Sequence, residues 1–63
     1  MSATQQWADA APRHRDGVLM VLAKNIASLR RERDNAADLG LFDLAENLAA
    51  LANTYGAAYV LLR

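Results

Sequence analysis

The chain has no cysteine, so neither a disulfide nor a thiolate metal site can hold it together. Its single histidine, His14, has no second imidazole at helical spacing, and the sequence predicts neither metal nor cofactor. Glycine is scarce and scattered: Gly17, Gly40 and Gly56 stand alone, which excludes a Gly-rich phosphate loop. Apolar runs are short. The longest strictly apolar one, Val18 to Ala23, is six residues, where a bilayer span needs about 20. The stretch from Met1 to Trp7 is polar, with no basic region before an apolar one, so no secretory signal is expected. Neither charge sign is in excess. A formal net charge of zero and a pI near 6.5 provide no global field toward nucleic acid or an anionic membrane.

At 63 residues the chain is one domain at most, and a chain of that size buries only about 60% of its unfolded surface. Ordering each residue costs roughly 1.5 kcal/mol, so one interface between two helices barely offsets the entropy of folding. With disulfides and metals excluded, self-association or a protein partner remains as the source of extra burial. Arginine outnumbers lysine and alanine is the commonest residue, a composition that suggests a GC-rich genome, hence a bacterium or its phage. Absence of cysteine fits a cytoplasmic location.

What is present is helical periodicity. Leu41, Leu44, Leu48, Leu51, Tyr55, Ala58 and Leu62 follow alternating spacings of three and four, the first and fourth places of a heptad. Leu19, Leu22, Ile26, Leu29, Arg33 and Ala36 form a matching seam in the first half. Folding the chain at Gly40 brings the two seams together in one antiparallel register, from Leu19 with Leu62 to Ala36 with Leu44. The predicted fold is all-α: an antiparallel two-helix hairpin over residues 12–63, with helices at about 13–38 and 43–62 joined by a turn at 39–42. Residues 1–11 form a short N-terminal helical appendage. The hairpin is expected to dimerise into a four-helix bundle.

Local signals place the ends. Ser2 with Gln5 has capping-box spacing, and Pro12 ends the appendage or opens the first long helix. That helix starts between Pro12 and Gly17, with Asp16 as its cap if it starts late. Gly40 supplies the left-handed stop. Asp43 with Glu46 has capping-box spacing at the start of the second long helix. Gly56 weakens that helix and is expected where a neighbour's backbone comes close. Ala45, Ala49 and Ala52 make a small-residue stripe beside the second seam. It is read equally well as a close-packed interface or as plain helix-favouring alanine.

Function is read from surfaces. Met20 and Val21 lie off the first seam, and Val60 and Leu61 off the second, yet all four are apolar. With Trp7, Val18 and Tyr59 they are the expected self-association or partner interface. The intrachain alternative is that Trp7 folds back over the patch. Arg30-Arg31-Glu32-Arg33 is read as a solvated face with local ion pairs, and Arg33, on the seam, as reaching Glu46 or water. The Arg13-His14-Arg15 triplet is read in the same way. The alternative is a nucleic-acid-binding regulator using Arg13, Arg15, Arg30 and Arg31 of a dimer. It is disfavoured by the interleaved acids and by the lack of aromatics for base stacking.

Ser2, Thr4, Ser28 and Thr54 have no base at a predictable position, so no enzyme is expected. In size and layout the chain resembles two families of helical hairpins. One is the small sporulation phosphatases, whose second helix carries a Ser-x-x-Leu-Asp-like motif. The other is the plasmid RNA-modulating hairpins that dimerise as four-helix bundles. Glu46-Asn47-Leu48-Ala49 lacks the acid at the comparable place in the first, and no motif of the second is present, so the resemblance is one of architecture. The expected function is that of a small non-catalytic regulatory or adaptor protein, binding protein through helices and binding itself, with no membrane and no nucleic acid.

Overall fold

A computed structural model describes residues 3–63. Among them the chain is all-helical. It has three helices, α1 (Ala3–Asp9), α2 (Pro12–Asp38) and α3 (Phe42–Leu62), and the two long ones pack on each other. Ser2 lies outside the described residues, and with it the capping box expected with Gln5.

Pro12 occupies the first turn of α2, where its missing N–H has no partner to lose. Ala11 precedes it in extended geometry and makes no side-chain cap, so Asp16 lies inside the helix. At the other end α2 closes in a Schellman motif. The Leu41 N–H donates to the Ala36 carbonyl at 2.8 Å and the Gly40 N–H to the Ala37 carbonyl at 3.0 Å. Gly40 takes φ +77°, the left-handed conformation that this closure requires. The Leu41 carbonyl then accepts from the Ala45 N–H at 3.0 Å and opens α3 without a pause. The expected Asp43–Glu46 box does not form: Leu41 is the N-cap, no side chain caps the helix, and Asp43 sits in the first turn. There its charge still opposes the positive end of the helix dipole.

The seam on α2 faces α3 as its spacing predicts. Ile26 and Ala36 are buried, and Leu19, Leu22, Leu29 and Arg33 are half-buried. The seam predicted for α3 does not. Ala52 is 2% exposed while its neighbour Leu51 is 47% exposed. Ala45 is buried with Ala52, and Ala49, Gly56 and Tyr59 are half-buried along the same stripe. Leu41, Leu44 and Tyr55 are exposed, and Leu48, Ala58 and Leu62 are only half-buried. The helix is rotated about its axis relative to the heptad reading. At 3.6 residues per turn the leucine stripe and the alanine stripe lie roughly 100° apart. The physical reason is size matching: α2 brings Leu, Ile and Leu to the interface, and the small residues of α3 accept them at short interaxial distance.

α1 folds back to the open end of this hairpin. The indole Nε1 of Trp7 donates to the Leu62 carbonyl at 2.9 Å, satisfying one of the last-turn carbonyls that a helix leaves unpaired.

Candidate interaction surface

The molecule is a rod measuring 45 × 20 × 14 Å with a radius of gyration of 14.5 Å. A compact chain of this length has a radius near 11 Å. Its accessible surface is 4858 Å², against about 4,000 Å² for a folded monomer of its mass. The excess matches the ~800 Å² that a standard protein interface takes from each partner. Much of this surface is apolar; apart from Leu39 and Phe42 at the turn and the isolated Met20 and Leu61, it falls in three places.

The first is the outward stripe of α3. Leu41, Leu44, Leu51 and Tyr55 are exposed and Leu48 is half-buried, giving more than three turns of one helix an unpartnered apolar face. Sequence reasoning found these residues but assigned them to the hairpin core. The signal that separates the two roles is the second stripe of α3, with alanine and glycine at Ala45, Ala49, Ala52 and Gly56. A two-helix hairpin can bury one stripe of α3, and this one buries the smaller.

The other two places are grooves. One, of about 780 Å³, lies on α2 against Ala11, Gly17, Val18, Val21 and Leu22, with Arg13 and His14 beside them. The second, of about 390 Å³, runs between the long helices. Ala23, Ile26 and Arg30 line it from α2, and Gly56, Tyr59 and Val60 from α3. The second groove marks one flank of the hairpin. By helix geometry the opposite flank carries the leucine stripe of α3 together with Val18, Asn25 and Glu32 of α2.

The residues predicted for the interface are therefore not one patch. Val18 is half-buried and lines the first groove with the exposed Val21, whereas Tyr59 and the exposed Val60 line the second. Met20 is exposed on α2, and Leu61, 85% exposed, stands clear of the helix pair. Trp7 is half-buried at the open end and leaves these four apolar side chains uncovered. Gly56 also departs from expectation, because a Cβ built on it meets nothing within 4 Å, so none of the described residues outside its own helix approaches it.

Two of the arginines hold local partners. The Arg33 side chain, at a seam position, pairs with Asp34 at 3.0 Å rather than reaching Glu46. Arg31 donates to the Ser28 hydroxyl at 3.2 Å. Arg13 and Arg30 are exposed and Arg15 is half-buried. The helical rise sets Arg15 and Arg30 about 22 Å apart, so the four arginines do not share one surface on a single chain. Among the described residues no group of His, Asp or Glu could hold a metal ion, and no helix is long and apolar enough to cross a membrane. No protein-family model, curated protein or solved structure matches the chain.

Proposed function

We propose that this chain is a small, non-catalytic regulatory or adaptor protein that acts through helix-mediated protein contacts, binds a second copy of itself and works in the cytoplasm. The observation that carries the reading is the outward leucine stripe of α3. An apolar face of that length on so small a chain costs solubility, and the hairpin covers only about half of it. Covering it removes from water the half of each of its side chains that the hairpin leaves exposed, a gain on the order of 1 kcal/mol apiece and several together. That is comparable with the whole stability expected of so short a chain, so association and folding are coupled in this reading.

Two measurements test it. Sedimentation velocity at tens of micromolar should show a dimer, and the melting temperature should rise with protein concentration. A compact monomer with a concentration-independent melt contradicts the reading. Titration with labelled duplex DNA and single-stranded RNA at low salt should show no binding. Micromolar affinity that falls steeply with added salt would replace the adaptor reading with the nucleic-acid one.

A further inference from the structure

We infer that the occupant of the α3 leucine stripe is the same stripe of a second copy, running antiparallel and centred on Leu51, so that the two turns lie at opposite ends of a four-helix bundle. The inference rests on the self-association proposed above and adds its face and polarity. Three observations carry it.

The first is the angle between the stripes. α3 presents Ala45 and Ala52 to α2, and Leu44 and Leu51 to the outside, roughly 100° around the axis. A helix at the corner of a square bundle needs two contact faces about a right angle apart, and α3 has them. The outward stripe also lies on the flank where α2 carries the half-buried Val18 and the exposed Val21, Asn25 and Glu32, so a second hairpin laid on this flank covers both helices.

The second is the symmetry of the stripe. Continued through the half-buried Ala58 and Leu62 on the same face and reversed about Leu51, it superimposes on itself: Leu41 meets the partner's Leu62, Leu44 the partner's Ala58, and Leu48 the partner's Tyr55. Each contact then occurs twice, as a closed two-fold interface requires. The area available suits it, since the surface excess of one chain is about that of one side of a standard interface.

The third is charge, which decides the polarity. The open end of the hairpin, residues 1–24 and 53–63, carries Arg13, Arg15, Lys24 and Arg63 against Asp9 and Asp16, a net charge of +2. The turn end, residues 25–52, carries Arg30, Arg31 and Arg33 against Glu32, Asp34, Asp38, Asp43 and Glu46, a net charge of −2. Antiparallel pairing sets each open end on the partner's turn end, so opposite charges meet. Parallel pairing sets like on like and also aligns the two α3 dipoles.

Because the chain has no cysteine, Asp43→Cys gives one labelling site, exposed and outside the stripe. With a nitroxide there, double electron–electron resonance reads the distance between the two copies. Antiparallel pairing centred on Leu51 separates the two labels by about 25 Å along the axis. Parallel pairing brings them within roughly 15 Å, set by the interaxial distance and the label arms. A dimer with the short distance overturns the polarity and leaves self-association standing. Leu44→Glu in the same background tests the face and should abolish the dipolar signal. A dimer that keeps its distance with that substitution places the interface elsewhere and overturns the inference. If the labelled chain is monomeric by sedimentation, self-association itself fails.

Discussion

Single positions on α3 carry opposite burdens, and Gly56 shows how closely they are set. It lies mid-helix, half-buried, with open space where a Cβ would stand. Glycine there costs the helix up to about 1 kcal/mol relative to alanine, and nothing within the chain offsets it. Gly56→Ala should therefore stabilise the dilute protein by roughly 0.5–1 kcal/mol in urea denaturation. A loss of stability at low concentration would mean that α2 comes closer to α3 than the structure has it. Four positions earlier, Ala52 is nearly sealed, while Leu51 beside it is open. No composition rule separates those two, because burial here depends on which stripe meets α2 and not on which residue is more apolar. Arg33 is legible at this scale in part. Its seam position and half-exposed head follow from the spacing, but its partner is the adjacent Asp34 and not an acid across the interface.

At the scale of the elements, the turn and the α2 seam were readable and the α3 face was not. Gly40 marks the stop by conformation, and the structure puts it at φ +77° inside a Schellman closure. Nothing crowds its missing Cβ, so the expected cost of Gly40→Ala is purely conformational, about 1–2 kcal/mol. A thermal melt of that variant should show the loss with helicity otherwise retained. No change would mean that the turn relaxes out of the left-handed geometry at little cost. The heptad on α2 is unambiguous because that helix has one apolar stripe along most of its length. α3 has two, and periodicity alone favours the larger side chains, since the pattern records polarity and not fit. Facing Leu19, Leu22, Ile26 and Leu29, the better counterpart is small. The capping box failed for a related reason: once Leu41 completes the Schellman motif its own carbonyl begins α3, and Asp43 is already inside the helix.

For the whole molecule, the question is why so much apolar surface remains after folding. A hairpin with a seven-residue arm has one long interface, and here that interface is built from small residues on one side. The arm closes the end of α3 through Trp7 and Leu62 but leaves Met20, Val21, Val60 and Leu61 in water. The sequence made the excess of apolar residues legible, and with it the proposal that a partner covers them. It did not show where the excess would lie, because that depends on the rotation of α3. The central claim is that Ala52 belongs to the fold and Leu51 to the surface that a second chain covers. Thermal melts of Leu51→Asp and Ala52→Asp, followed by far-UV circular dichroism over a range of protein concentrations, test it most directly. The account predicts that Leu51→Asp melts independently of concentration, near the limit reached by dilute wild type. Ala52→Asp should be unfolded at every concentration, because its charge would be buried without a partner. A folded Ala52→Asp beside a Leu51→Asp that is unfolded throughout would contradict it, and would return the leucine stripe to the hairpin core.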